Sequence, residues 1–265
     1  MKRLVLSGLI ILALALKGAG AFELIKTIQL SADDFSVDIM GHIYWAEGST
    51  LFRYNPQNNE KLEYTNTFLG EIHSWDASNP LKILVFFKEF NSLVFLDKNL
   101  SPIGSPIRLD NMGVMQAGAA CHSYLGSFWL ANLGENRLQL HSSNLSLRLE
   151  SATINALREV REEKIQLREQ NRNLYCLIPG CCLLQIDRYG NLARRHPLKN
   201  VNNIQILNQN IYYFYDGNLY RMNKDFQAKQ RISLPQPSQT WDQARMGTQN
   251  RLYLLKDYKL YIYKT

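Results

Sequence analysis

The side chains that could do chemistry in this sequence are scattered, and no catalytic motif joins them. The sequence contains no G-x-S-x-G turn, no H-E-x-x-H pair and no glycine-rich phosphate loop. Serine, histidine and aspartate are present, but no spacing singles out a nucleophilic triad. Seven side chains remain as candidate binders of a ligand: Asp38, His73, Trp75, Asp76, His122, Trp241 and Asp242.

These seven residues are the types that would bind a cation or a small polar molecule. Carboxylates bind hard cations, and histidines bind transition metals. If they converged, they would form a polar ring able to hold a divalent cation, or a small ligand between aromatic rings. Each has an alternative interpretation as a hydrogen-bonded structural group, and their spacing is not that of a defined metal site. The sequence itself predicts no cofactor.

The elements that would position these residues are indicated by an internal repeat. Six apolar triplets carry an aromatic residue at the centre, and the central residues are separated by 42, 43, 46, 37 and 41 positions. A fixed period of this length is typical of repeat architectures. The central residues are Tyr44, Phe86, Trp129, Tyr175, Tyr212 and Tyr253.

A second set of positions keeps phase with the triplets. A leucine follows each central aromatic by 7 to 9 residues, at Leu51, Leu93, Leu138, Leu183, Leu219 and Leu260. Four positions after five of these leucines stands a residue that favours turns: Asn55, Asp97, Ser142, Asp187 and Asn223. With a strand before each triplet and one after each turn, a unit of about 42 residues holds four strands. The sequence therefore predicts an all-β, six-bladed β-propeller with four-stranded blades.

The two ends of the chain complement each other. The last unit stops at Thr265 without an outer strand, while an unpaired strand is predicted over residues 23–30. We expect this N-terminal strand to complete the last blade, which would leave no open sheet edge. A β-sandwich or an open solenoid explains the six phased repeats and the matching ends less well.

The seven candidates lie in or beside the segments that precede the triplets. These segments become the innermost strands around the propeller axis.

A polar segment over residues 155–170 lengthens the junction between the third and fourth units. It predicts a short helix or a protruding loop, since protrusions on a repeat protein often carry binding. The alternative is a solvated insertion without a role.

The phased aromatic and leucine positions resemble those of bacterial exported propellers with divergent repeats, similar in outline to the NHL and YWTD-like groups. The resemblance covers residues 22–265 and implies the fold alone, because these positions are architectural. Trp75-Asp76 and Trp241-Asp242 precede the aromatic triplets, whereas the WD-repeat dipeptide ends the third strand. No functional residue is therefore carried over from these groups.

The N-terminus has the features of a secretory signal peptide. Lys2-Arg3 is followed by an apolar run over residues 4–16 and by Ala19-Gly20-Ala21, a small-residue cleavage site. We predict a signal peptide over residues 1–21 and one propeller domain over residues 22–265. The protein would then be periplasmic or secreted, and after cleavage it would not be an integral membrane protein. The alternative is an uncleaved N-terminal anchor.

The charge of the mature chain gives no sign of nucleic-acid binding. The leader holds three of the 30 basic residues and no acid, which leaves 27 basic and 23 acidic residues. Nucleic-acid binding would require a clustered basic stripe.

Export permits disulfides. The four cysteines would form either one bridge or a set of buried thiols: Cys121, Cys176, Cys181 and Cys182.

Two functional interpretations follow from the sequence. The first is a monomeric, non-catalytic binding or scaffolding propeller of the cell envelope or extracellular space, with a protein or glycan partner. The second is an enzyme at the axial channel, either a metal-dependent, lactonase-like hydrolase or a sugar-oxidising enzyme. The acids available to such a site are Asp38, Asp76, Glu169 and Asp242.

Overall fold

The computed structural model describes residues 22–160, 164–236 and 240–265. Within these ranges the chain forms six antiparallel sheets of four strands each. In five of the sheets the strands follow one another in the chain from the axis outwards, and the sixth takes its outer strand from the start of the chain. The prediction of a six-bladed propeller is confirmed.

The strands are short, as expected for blades connected by tight turns. In chain order they are β1 (Glu23–Gln29), β2 (Ser36–Val37), β3 (Ile43–Glu47), β4 (Thr50–Asn55), β5 (Glu60–Thr65), β6 (Ser74–Asp76), β7 (Lys82–Phe87), β8 (Ser92–Asp97), β9 (Ile107–Arg108), β10 (Ala117–His122), β11 (Phe128–Asn132), β12 (Arg137–His141), β13 (Leu147–Glu150), β14 (Gln166–Gln170), β15 (Asn173–Ile178), β16 (Cys182–Ile186), β17 (Leu192–Pro197), β18 (Ile204–Leu207), β19 (Asn210–Tyr215), β20 (Asn218–Asn223), β21 (Gln230–Ile232), β22 (Gln243–Met246), β23 (Arg251–Lys256) and β24 (Lys259–Lys264). Short 3-10 helices lie in the connections at Thr67–Leu69, Leu109–Met112, Tyr124–Gly126 and Asn155–Glu159.

The N-terminal strand closes the ring. Strand β1 pairs antiparallel with β24, and the register runs from Glu23 opposite Lys264 to Gln29 opposite Lys259. The sixth blade therefore has the order β1-β24-β23-β22, with its outer strand taken from the start of the chain. This confirms the predicted pairing and removes an edge that would otherwise be free to pair with another chain.

The phased aromatics form the core between blades. All six central aromatics are buried, with Tyr44, Phe86 and Tyr253 having no exposed surface. They lie on the second strands, whose two faces both meet a neighbouring blade, and the phased leucines lie on the third strands. Trp129 of the third blade, for example, shares a cluster with Cys176 of the fourth. Burial on both faces explains why these strands are apolar throughout instead of alternating.

Polar side chains join the innermost strands of neighbouring blades. An innermost strand has a free edge, so some of its backbone groups need partners outside its own sheet. In three places an acid or amide of one blade accepts from the backbone of the next blade. These bonds are His122 N to Asp76 Oδ2 (2.9 Å), Ile204 N to Gln166 Oε1 (2.6 Å) and Met246 N to Gln205 Oε1 (3.0 Å).

The polar segment between the third and fourth units has two structural parts. Residues Asn155–Glu159 form the predicted short helix, of the 3-10 type, and Leu157 on it is buried. Residues Gln166–Gln170 instead form β14, the innermost strand of the fourth blade, so this half of the segment is not a protrusion. Residues 161–163 lie outside the described residues.

Candidate functional site

A cavity of about 690 Å³ opens at the end of the propeller axis where the six innermost strands finish. Every blade contributes to its wall, because the strands are arranged around the axis in the same direction. One lining residue from each blade, in order, is Val37, Asp76, His122, Arg168, Ile206 and Met246. We call this space the axial cavity.

A hydrogen-bonded network crosses the axis at the opposite end. The Arg245 guanidinium donates to Phe35 O (2.8 Å), Asn203 Oδ1 (3.0 Å) and Asp34 Oδ1 (2.8 Å). Asn203 donates to Asp34 Oδ2 (3.2 Å) and accepts from Gln166 Nε2 (2.7 Å). These residues come from the first, fourth, fifth and sixth blades, so the network spans the channel. The space that remains there measures about 70 Å³.

Charged side chains of both signs line the axial cavity. Among the described residues they are four bases and three acids, and one base, Arg245, is already paired with Asp34 (2.8 Å), which leaves no net charge. The bases are Lys82, Arg168, Arg172 and Arg245, and the acids are Asp38, Asp76 and Glu169.

Asp38 is a buried carboxylate held by its own loop. Its Oδ1 accepts from the backbone N–H groups of Met40 (2.8 Å) and His42 (2.9 Å). Its Oδ2 accepts from the Tyr44 hydroxyl (3.0 Å) and lies 2.9 Å from His42 Nδ1. Burial and the nearby Asp38 charge raise the pKa of Tyr44 above its ordinary value, which keeps this phenol protonated. Asp38 therefore shapes the loop that follows β2.

Glu169 is also engaged. It accepts from the Trp129 indole (2.6 Å), from the Tyr124 backbone N–H (3.3 Å) and from the Ser123 hydroxyl. All three donors belong to the third blade, whereas Glu169 lies on β14 of the fourth. The carboxylate thus ties these two blades together at the cavity wall.

Asp76 holds a different position, deep in the wall between the second and third blades. It accepts from Ser78 N (3.0 Å) and His122 N (2.9 Å), and its Oδ1 lies 4.0 Å from Arg168 Nη1. Burial alone would raise the pKa of Asp76, but the Arg168 charge, His122 and the backbone bonds lower it below its usual value. Asp76 is therefore ionised at neutral pH.

Most of the hydrogen-bond donors of Arg168 have no partner among the described residues. Its side chain is only 22% exposed, yet Nη1 donates to a single backbone carbonyl, Leu167 O (2.9 Å), besides the 4.0 Å approach to Asp76. Within the described ranges, Nε and Nη2 have no hydrogen-bond partner. A guanidinium presents five N–H donors, so most of this group's capacity is directed at the cavity or at solvent.

Two further cations lie at the cavity against aromatic rings. Lys82 Nζ is 4.1 Å from the centre of the Phe95 ring, and the Arg172 guanidinium is 4.7 Å from the centre of Tyr124. Contacts of this kind orient a cation without neutralising it. The wall thus has three bases, including Arg168, that no carboxylate of the described residues approaches closer than 4.0 Å.

The two candidate histidines have lowered pKa values because they are buried and lie near cations. Burial lowers the pKa of His122, and burial together with Lys88 and Lys164 lowers the pKa of His73 to about 4. In both rings Nε2 is buried without a hydrogen-bond partner in the described structure. His73 packs edge-on against Phe86, with ring centres 5.6 Å apart.

The structure separates the seven predicted site residues into four places. Asp38, Asp76 and His122 line the axial cavity. His73 and Trp75 line the small space at the other end, where the Trp75 indole donates to Ser36 Oγ (2.7 Å).

The remaining two line neither of these spaces. Trp241 is buried against Tyr261 and Tyr263, and the exposed Asp242 accepts from Asp257 N (2.9 Å). Among the described residues no group of three or more His, Cys, Asp or Glu side chains is placed to hold a metal ion.

Arg168 and Arg245 were missed as candidates, although the strand register marks them. Each stands directly opposite the central aromatic of its blade: Arg168 opposite Tyr175 and Arg245 opposite Tyr253. The same position is occupied in the other blades by Ser36, Ser74, Cys121 and Gln205. Counting back from each aromatic could have found this set, but the connections between the first two strands vary in length and hide it.

The backbone resembles solved propellers that differ in function. It matches a streptogramin B lyase with a TM-score of 0.60 and 12% identity, over 92% of this chain and 87% of that chain. It matches a catalytically inactive virginiamycin B lyase from Staphylococcus aureus with quinupristin at 0.57 and 12%, over 89% and 82%. The WD40 domain of Pan2 from Neurospora crassa gives 0.60 and 9%, over 91% and 94%. At these identities the likeness shows the fold alone.

No protein-family model matches the sequence, and no curated protein matches it. None of the helices in the described part of the chain has the length and apolar character needed to cross a bilayer.

Proposed function

We propose that this protein is a non-catalytic binding propeller that holds a small ligand in the axial cavity. The observation that carries the proposal is the cavity itself: about 690 Å³, at one mouth of the channel, with walls from all six blades. Small-molecule sites in proteins commonly measure about 300–1,000 Å³ and are concave, with apolar walls and a few polar groups.

The state of the acids supports binding over catalysis. A lactonase-like metal site would need several carboxylates free to coordinate a cation. Asp38 already accepts from two backbone N–H groups and a phenol, and Glu169 accepts from three donors of the next blade. To bind a metal, these carboxylates would have to break contacts that hold the blades and loops in place.

The loops around the cavity offer a surface for a larger partner. Ile39, Met40, Leu81 and Tyr124 are 60, 61, 68 and 56% exposed, and they follow the innermost strands of the first three blades. Exposed apolar side chains that adjoin a cavity are typical of interaction sites. We propose that a protein or glycan partner contacts this rim while the cavity holds its own ligand.

We also propose that the protein acts outside the cytoplasm, in the periplasm or the medium. The leader-like segment over residues 1–21 lies outside the described residues, and the closing strand β1 begins at Glu23. Cleavage after Ala21 would leave that strand intact, with Phe22 packed edge-on against Tyr263 at 6.4 Å. The intact mass of the purified protein tests this: cleavage removes residues 1–21, and a full-length mass would contradict it.

A metal-dependent hydrolase or sugar-oxidising enzyme is the second candidate, because Asp38, Asp76 and His122 line the same cavity. Elemental analysis combined with native mass spectrometry separates the two. We expect a monomer without a stoichiometric metal. A stoichiometric divalent cation that is lost in Asp76→Asn would favour the enzyme.

Binding in the cavity is tested by filling it. Ser78 lines the cavity, and Ser105 is exposed on a distant connection in the same blade. Native mass spectrometry is performed on each protein after incubation with a small-molecule extract of the producing cells. We expect a one-to-one adduct with the wild type and with Ser105→Trp, and none with Ser78→Trp. An adduct that survives in Ser78→Trp would place the ligand elsewhere, and no adduct with any protein would contradict a binding role.

A further inference from the structure

The axial cavity has the chemistry of a site for one particular class of ligand. Resting on the binding function proposed above, we infer that the ligand is an organic monocarboxylate with an apolar body, whose carboxylate is bound by Arg168 with Lys82 beside it. The inference stands on the geometry of Arg168, on the charge of the cavity wall and on the apolar residues that complete it.

Arg168 supplies the anion contact. Its guanidinium is fixed near the axis by Leu167 O (2.9 Å) and lies 4.0 Å from Asp76 Oδ1, longer than a hydrogen bond. Nε and Nη2 point in one direction on the edge of the planar group, and neither has a partner among the described residues. Two parallel donors on one edge match the two oxygens of a carboxylate.

Lys82 adds a positive charge from the second blade, across the cavity wall from Arg168 on the fourth. It is partly buried in the cavity wall, against the Phe95 ring. Burial and the Lys82 charge lower the pKa of His122. His122 therefore contributes no positive charge at neutral pH. The Arg168 charge also lowers the pKa of His122, so Lys82 and Arg168 act on the same part of the wall, and the acid that approaches Arg168 there is Asp76.

The charge of the cavity wall favours an anion of low valence. Arg245 is already paired with Asp34 (2.8 Å), and the other charged side chains of the lining, three bases and three acids, balance. A monocarboxylate adds one negative charge, whereas inorganic phosphate carries a larger negative charge at neutral pH and would place a larger excess next to the buried Asp76. Among anions, the cavity is thus best suited to one with a single negative charge.

Apolar residues form much of the remaining wall. Val37 and Ile39 come from the first blade, Ala77 from the second, and Ile206 and Leu207 from the fifth. A fully polar anion would leave this surface in contact with water, whereas a hydrocarbon body would cover it at a gain of about 25 cal/mol for each Å². The walls therefore favour a carboxylate attached to an aliphatic or aromatic body.

Calorimetric titration with octanoate, 1-octanol and inorganic phosphate tests the class of ligand. We expect octanoate to bind at least tenfold more tightly than either of the other probes. If octanol binds as tightly as octanoate, the charge is not recognised. If phosphate binds more tightly than octanoate, the apolar body is not recognised. Either result overturns the inference while leaving the proposed binding function in place.

Substitution of the anion contact tests the residue. Arg168→Gln should weaken octanoate binding at least tenfold, because a charge-assisted pair is lost. Arg221→Gln, at an exposed position on β20 away from the cavity, makes the same charge change and should bind like the wild type. Unchanged binding in a folded Arg168→Gln protein overturns the assignment. If that variant does not fold, Lys82→Gln decides, with an expected loss of about threefold to tenfold, and unchanged binding again counts against the site.

Discussion

The Arg245 guanidinium donates from Nη2 to Asp34 Oδ1 over 2.8 Å, although the two residues stand 211 positions apart. Arg245 lies on the innermost strand of the sixth blade, and Asp34 leads into the innermost strand of the first. The ring is therefore joined twice, by strand β1 at its outer wall and by this ion pair at its axis. The Arg245 side chain is 8% exposed and also holds Asn203 and Phe35 O, so it links the blades on both sides of the joint.

We expect Arg245→Met to destabilise the protein more than any exposed arginine substitution. It removes three donors from a buried network and leaves Asn203 and a backbone carbonyl without their partner, at a cost of about 3 kcal/mol in the free energy of unfolding. Urea unfolding at pH 7 measures the loss. Arg221→Met is the control and should change stability by less than about 0.5 kcal/mol. A loss below about 1 kcal/mol for Arg245→Met would contradict a structural role for the network.

The closing strand should stabilise the ring mainly through its end. Most side chains of β1 are exposed, but Leu30, directly after it, is fully buried in the cluster between the sixth and first blades. Leu30→Ala should cost about 3 kcal/mol because it leaves a cavity in that cluster. Leu24→Ala, at a side chain that is 49% exposed, should cost less than about 0.5 kcal/mol. Equal losses in thermal or urea unfolding would contradict this difference.

Gly247 sits where no side chain fits. A Cβ atom at this position would lie 2.5 Å from Cε2 of Tyr253, whose ring is fully buried. Gly247→Ala should therefore destabilise the sixth blade by about 1–3 kcal/mol through overpacking. Gly134→Ala would place its Cβ 3.4 Å from Asn132 Oδ1, close to an ordinary contact, and serves as the control. If the two alanine variants have the same urea midpoint, the close approach of a Cβ atom to Tyr253 does not reduce the stability of the protein.

Much of the fold could be predicted because blade packing constrains every repeat in the same way. Each second strand is buried on both faces and each third strand needs a leucine at its inter-blade contact, so positions such as Tyr44 and Leu51 recur with the period of the blade. The closing strand could also be predicted, because Glu23–Gln29 has the length of an outer strand and the last repeat lacks one. These features follow from local sequence and chain length.

The site could be predicted only in part, because no repeated packing rule fixes the residues around the axis. The six positions opposite the central aromatics include two arginines, two serines, one cysteine and one glutamine, which share no side-chain type. Asp76 and His122 were found because their types suggest chemistry. Arg168 was not, because in the sequence it stands among other charged residues of a polar segment. Its isolation from partners is a property of the folded ring.

His73 should make the protein less stable in mild acid. Its pKa in the folded protein is about 4, because of burial and of Lys88 and Lys164, against an ordinary 6.5. The unfolded chain therefore binds the proton first, and stability present above pH 6.5 is lost as the pH falls from 6.5 towards 4. His73→Phe should remove about 2 kcal/mol of this loss. Urea midpoints measured at pH 7 and pH 4.5 check it, and an identical pH dependence in the variant would contradict the assignment.

The four cysteines should differ sharply in reactivity. All four are free thiols; Cys121, Cys176 and Cys182 are buried, whereas Cys181 is partly exposed at the turn between β15 and β16 and accepts from Arg195 Nη2 at 3.4 Å. Burial raises the pKa of Cys121 and Cys176, and burial with the neighbouring Cys181 raises that of Cys182 to about 12, so these thiols are poor nucleophiles. A charged thiol reagent should therefore label the native protein once, at Cys181, and the denatured protein four times. Mass spectrometry of the labelled protein counts the thiols, and Cys181→Ser should abolish the native label. Two labels instead of four after denaturation would reveal a disulfide, and native labelling of Cys176 would mean that the contact between the third and fourth blades opens in solution.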